Sequence, residues 1–250
     1  MKVIDTSQDF SELAKNCSNS DGVVIPILSN HRGHPAVSEL SGIYIHTNKD
    51  NCRYYISVNN SESIEKFTPN QLVELINSMN TIITIDSKEF YHIFGLEKSV
   101  IDFSVANYHL TGKATTIEKT SAHKKLYSMY WDRKNVNDIV PILKHVEYCE
   151  EILNSIKPEY YSKVYTKYSK LIKNLYMIES SGLYTKNGYE YCNYNPYTLT
   201  GRPSNTFNKV NYAALNKADG SRNKYISRFD NGMILELDYD AYHLRIIADM

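Results

Sequence analysis

Cysteine pairs, long apolar runs, a charge imbalance and internal repeats are all missing from this sequence, and the first three absences each remove a class of protein. The four cysteines, Cys17, Cys52, Cys149 and Cys192, lie far apart and form no C-x-x-C pair. That spacing disfavours a zinc site or a disulfide framework and fits a reducing cytoplasm. No apolar stretch approaches the roughly 20 residues that span a bilayer. The polar start MKVIDTSQDF is no secretory signal, so no membrane partner is expected. Lys plus Arg and Asp plus Glu number 28 each, for a formal net charge of zero. No global basic field therefore draws the chain to nucleic acid, and any such surface must be local.

What is present is enough for a core: 250 residues, 42% of them hydrophobic, make one large domain or two modest ones. Tyrosine is abundant at 22 residues. An AT-rich coding sequence accounts for it, and composition alone does not make those rings a stacking surface.

Along the chain, GVVIPIL (Gly22 to Leu28) is a β-branched apolar run ending in turn-rich residues and reads as a buried strand. LSGIYIHT and RYYISV read as two further strands joined by the polar hairpin NKDN. TPNQLVELINSMN has a threonine cap, proline at the first helical position and apolar Leu72, Leu75, Ile76 and Met79, so it reads as an amphipathic helix. TIITID is a strand, KEFYHIFGL a short helix closing at Gly95, and VIDFSVANYHL a strand end entering a helix. Helices are expected over DIVPILKHVEYCEEILNSI and EYYSKVYTKYSKLIKNLYMIESS, the second closing at Gly182. This order gives an α/β layer with mixed strand directions covered by helices. From Leu183 to Asp230 the sequence turns polar and irregular, which places a domain boundary near 183 and divides the chain into 1–182 and 183–250.

The C-terminal part carries the chemistry. Met233 to Leu237 (MILEL) reads as a buried strand delivering Asp238, and from Tyr242 to Met250 the apolar residues fall at helical spacing. A carboxylate at a strand end is held rigidly toward a cleft and can give one oxygen to Mg²⁺. Taken alone, Asp238 or Asp240 reads as the N-cap of the following helix. Upstream, TLTGRPSN sets Arg202 in a loop of small hydroxyl and amide residues, suited to phosphate contact or simply to a solvated turn. ADGSRNKYISRF adds Arg222, Lys224 and Arg228, a locally basic run.

In order and spacing, TGRPS, NYAAL, DGSRNKYI and LELDYDAYHLRIIA resemble the opening of the palm in family A DNA polymerases, over Thr198 to Met250. The resemblance implies that Asp238 binds both catalytic Mg²⁺ ions of a two-metal site and that the backbone carbonyl of Tyr239 is a further ligand. It implies nucleic-acid contacts from Thr200, Gly201, Arg202, Ser204, Asn211, Arg222 and Arg245. His243 stands where the family carries the glutamate that excludes a ribose 2′-OH, so sugar discrimination is open, and the residue reads equally as packing. One aspartate cannot clamp two metals. The second carboxylate and the triphosphate-binding residues are expected from a complementary C-terminal chain, the present one being cut through the palm. The expected partners are a DNA primer–template and dNTPs, in a viral protein acting in a bacterial host cytoplasm.

Residues 22–182 are similar in outline to the ribonuclease-H-like 3′–5′ exonuclease domain that precedes such a palm, with LYMIESSGLYT resembling the helix that leads out of it. The carboxylates this resemblance requires are mostly missing. Pro26 and Leu28 replace the Asp-x-Glu pair of the first strand, SKEF offers Glu89 or Phe90 for the second motif, and HVEYCEE puts His145 and Cys149 at the third. The expected result is a degenerate exonuclease-like domain followed by an incomplete palm, with the thumb largely absent and DNA binding accordingly weak and salt-sensitive. The first functional reading is a DNA-directed DNA polymerase portion needing its missing part. Its alternatives are a non-catalytic DNA-binding or regulatory derivative and, third, an atypical 3′–5′ exonuclease using Asp86, Asp102 and Glu147, which otherwise read as solvated surface acids.

Overall fold

The computed structural model describes residues 2–28, 34–58, 66–95, 100–105, 108, 164–198, 202–205, 212, 215–216, 218–236 and 242–249. The helix expected over DIVPILKHVEYCEEILNSI lies outside them, as do Glu147, Thr200, Gly201, Asn211, Asp238, Tyr239 and the His243 side chain.

Six strands form the main sheet: β1 (Lys2–Ile4), β2 (Asp21–Leu28), β3 (Leu40–Thr47), β4 (Arg53–Ser57), β5 (Thr81–Thr84) and β6 (Ile101–Asp102), in the order β1-β4-β3-β2-β5-β6. Strands β2, β3 and β4 are an antiparallel meander, while β5 runs parallel to β2 and β6 parallel to β5. The meander was legible because each strand is β-branched or aromatic and each is bounded by turn residues. Pro26 falls beyond the last β2–β5 pair, Val23 with Ile83, where one flank of β2 carries no ladder bond and accommodates a residue without N–H. The sequence reading missed β1, which pairs parallel to β4 at the sheet edge. It also missed α1 (Ser7–Cys17), capped by the Thr6 hydroxyl accepting from the Asp9 amide.

Helix α2 (Pro69–Asn77) starts as expected, with Thr68 and Gln71 forming a reciprocal capping box and Pro69 opening the helix. Helix α3 (Ser87–Phe94) is capped by Asp86, which accepts from the Lys88 and Glu89 amides, and ends at Gly95 with φ 57°. The core joins sheet residues Val24, Ile43, Ile45 and Ile56 to Leu13 of α1, Leu72, Leu75 and Ile76 of α2, and Phe90 and Phe94 of α3. Burying each large apolar side chain is worth about 1.5–3 kcal/mol, offset by the conformational entropy it loses.

Helix α4 (Val164–Ser181) packs on α3 and stops at Gly182, φ 61°. The chain beyond is more ordered than its polar composition implied. It forms a hairpin, β7 (Leu183–Thr185) with β8 (Gly188–Glu190), and a second antiparallel pair, β9 (Tyr194–Asn195) with β10 (Ser204–Asn205). Glu190 draws the basic run back onto the first hairpin, accepting from Lys224 Nζ and from the Tyr225 and Tyr212 hydroxyls. The strand expected over Met233 to Leu237 is corrected: 233–236 make no strand, and Met233, Ile234 and Leu235 are 86%, 58% and 74% exposed. Apolar sequence marks a strand only where a neighbour supplies ladder bonds, and no described strand pairs with this one. Helix α5 (Tyr242–Asp249) follows as expected.

Candidate functional site

The end of β2 is where the ribonuclease-H-like resemblance places its first two acids. Pro26 and Leu28 there are buried; at the second motif Phe90 is buried and Glu89 half-buried. Pro26 and Leu28 have nothing to offer a cation.

Asp86 and Asp102 are carboxylates that follow β5 and close β6, at that same end of the sheet. Both are helix-start residues with backbone donors of their own. Asp102 is 2% exposed, not the solvated acid expected from sequence. It accepts from the Ser87 amide (2.8 Å), the Ser87 hydroxyl (2.6 Å) and the Val105 amide (3.0 Å). Burial, with the neighbouring Asp86 charge adding to it, pushes its pKa up to about 7 against the pull of those hydrogen bonds. Asp86 is exposed and caps α3.

Among the residues assigned to nucleic acid, Arg202 is exposed in the loop that joins β9 to β10, and Thr198 Oγ1 donates to its carbonyl at 2.7 Å. Ser204 opens β10. Arg222 is engaged within the fold, giving Nε and Nη2 to the Leu215 carbonyl and Nη1 to Glu236 at 2.7 Å. Arg245 is exposed on α5.

Sequence reasoning missed a buried ionic cluster behind that loop. Lys88 on α3 and Glu179 on α4 have side chains 8% and 0% exposed. The three N–H groups of the Lys88 ammonium meet three oxygens: Glu179 Oε1 at 2.9 Å, Asn193 Oδ1 at 2.6 Å and the Tyr194 carbonyl at 2.6 Å. Glu179 also accepts from the Tyr194 amide at 2.5 Å and from His92 Nε2 at 3.1 Å. Burial alone would raise the Glu179 pKa, but hydrogen bonds from His92 and Lys88, and the lysine charge, hold it below the ordinary range. His34 closes the cluster, its ring 5.1 Å from that of His92 and stacked on Tyr191. Its Nδ1 accepts from the Ala36 amide at 3.1 Å, which leaves the proton on Nε2 to donate to the Cys192 carbonyl at 2.8 Å. Burial lowers the His34 pKa and keeps the ring neutral.

His34, His92 and Glu179 place ligand atoms within 4.8 Å of one another, a spacing at which a metal ion can be held. The donor set is wrong for Mg²⁺, which takes oxygen ligands; two imidazoles and one carboxylate suit a transition ion. Both His34 nitrogens are already committed, and Glu179 already has its cation in Lys88. Among the described residues the cysteines join no metal set: Cys17 and Cys192 are buried and free, Cys52 exposed and free.

The described strands form a mixed six-stranded sheet with helices packed against it, an α/β fold. No protein-family model and no curated protein sequence matches the chain. Solved structures similar to it include Trypanosoma brucei RNase D bound to RNA U12, with TM-score 0.49 and 10% identity over 70% of this chain and 69% of that one. The Aedes aegypti Nibbler EXO domain gives 0.46 and 12% over 68% and 94%. The POL domain of Pol1 from M. smegmatis, in complex with DNA primer-template and dNTP, gives 0.43 and 12% over 74% and 33%. Against T. brucei RNase D in its GMP complex the chain spans 63% of that protein's length. What those proteins bind is theirs; the chemistry of this chain is read from its own side chains. No helix among the described residues is long and apolar enough to cross a membrane.

Proposed function

We propose that this chain is a nucleic-acid-processing protein in which a nuclease-type body, lacking the first-strand carboxylates, carries a backbone-contacting loop. The observation behind this reading is that Arg202 stands exposed between β9 and β10 while Pro26 and Leu28 fill the first-strand acid positions with buried apolar groups. The finer form of the proposal is the family A polymerase portion. Asp238 and the Tyr239 carbonyl hold Mg²⁺, Thr200, Gly201, Arg202, Ser204, Asn211, Arg222 and Arg245 meet a primer–template, and His243 faces the sugar, in a palm segment that follows the boundary near 183. In its favour are the ordered motifs TGRPS and LELDYDAYHLR. The test is primer–template affinity of the 250-residue chain across a salt series. Arg202→Ala should weaken binding and lower the salt slope by about one unit; an unchanged slope removes the loop from the interface.

One observation favours the atypical exonuclease. Thr84 Oγ1 is buried without a partner among the described residues, and Thr84 sits in register with Asp102 across the parallel β5–β6 pair. A Mn²⁺-induced rise in melting temperature that Asp102→Asn abolishes would move the assignment to that site.

A further inference from the structure

The ionic cluster joins chain segments far apart in sequence, and everything it holds leads to one loop. Lys88 and Glu179 grip both the carbonyl and the amide of Tyr194, and Lys88 also holds the Asn193 side chain. The Asn193 amide donates to Asn205 Oδ1 at 2.9 Å, and Tyr194 and Asn195 pair with Asn205 and Ser204. The β9–β10 ladder is two residues on each strand, too short to hold its own conformation in water. Its geometry is therefore borrowed from α3 and α4. Each donor and acceptor named in the cluster already has its partner in protein. The ammonium has three acceptors, the Glu179 carboxylate accepts from Lys88, His92 and the Tyr194 amide, and His34 has both nitrogens engaged. A cation between His34, His92 and Glu179 would have to break a His34 hydrogen bond and crowd an ammonium.

We infer that Lys88 is a positioning residue, an internal cation standing where a metal would otherwise cross-link this cluster, and that it fixes the β9–β10 pair and the Arg202 loop on the exonuclease-like body. Its effect on nucleic-acid binding rests on the reading of Arg202 given above; the lock itself rests on the cluster's geometry. Removing the ammonium alone leaves the Glu179 carboxylate buried and unbalanced, which destabilises the whole body. Removing both charges together takes away that penalty, since a buried ion pair is replaced by apolar groups at little net cost, yet it still releases Asn193 and Tyr194.

The experiment is amide hydrogen exchange on the full chain, comparing wild type with Lys88→Met and with the double variant Lys88→Met/Glu179→Met. In the double variant, amides of 192–195 and 202–205 should exchange about tenfold faster or more, the loss of roughly one hydrogen bond's free energy or more, while β2 and β3 amides keep their protection. Equal protection of 192–205 in wild type and double variant overturns the lock. A rise in wild-type melting temperature with one equivalent of Zn²⁺, lost in His34→Ala, overturns it as well by making the occupant a metal. The same variants titrated with primer–template separate the two ideas. Faster exchange with unchanged affinity keeps the lock and sinks the Arg202 reading; faster exchange with weaker affinity supports both.

Discussion

At the scale of single residues, the decisive quantity is the cost of leaving a charge buried without its partner. Glu179 is 0% exposed, so Lys88→Met should cost about 3–5 kcal/mol in urea unfolding, and the double replacement with Glu179→Met much less. Equal costs for the two variants would mean that the pair contributes packing and not charge balance. Two further groups give stability a pH dependence of opposite sign. Burial keeps the folded His34 pKa below its ordinary value of about 6.5. The unfolded chain thus takes up a proton that the folded one refuses, and stability falls as pH drops below about 6.5. Asp102 is raised to about 7. Its contribution is complete below the unfolded value of about 3.9 and is lost as pH rises through 7. The stability gap between wild type and Asp102→Asn should therefore shrink between pH 4 and pH 7 in parallel denaturation curves; a constant gap would place Asp102 in its ordinary range.

At the scale of elements, local signals and tertiary partners divide the fold between them. Strands β2 to β5 and helices α2 and α3 were legible because each carries its own instruction: a β-branched apolar run between turn residues, a capping box, an αL glycine. Strand β1 and the pairs β7–β8 and β9–β10 have two or three residues per strand, too few to show a period. The 233–236 segment failed in the reverse direction, apolar in pattern but without a described strand beside it. Two substitutions test the legible part. Gly22 has no room for a side chain, since a Cβ there would lie 2.5 Å from the His46 carbonyl oxygen and 2.8 Å from Met79 Cε. The oxygen is backbone in a paired strand and cannot swing away, so Gly22→Ala should cost about 1–3 kcal/mol and lower the melting temperature. Thr68→Ala removes the α2 capping box and should cost about 1 kcal/mol; no measurable loss would mean that water caps the helix as well as Thr68 does.

At the scale of the whole molecule, the fold came through the sequence more clearly than the site. The expected absence of first-strand acids puts Pro26 and Leu28 at those positions, and both side chains are buried. The ionic cluster was not legible. Lys88 meets Glu179 at a separation of 91 residues and His34 meets Cys192 at 158, and no local period records such a meeting. Asp102 was misjudged for a related reason: whether an acid at a strand end faces water depends on the helix that covers it. The central proposal is that this α/β body serves as a scaffold and carries no nuclease chemistry. The most direct measurement follows 5′-labelled single-stranded DNA incubated with the full chain in Mg²⁺ and in Mn²⁺. The account predicts that the DNA stays at full length; stepwise shortening from the 3′ end that disappears in Asp86→Asn or Asp102→Asn would contradict it.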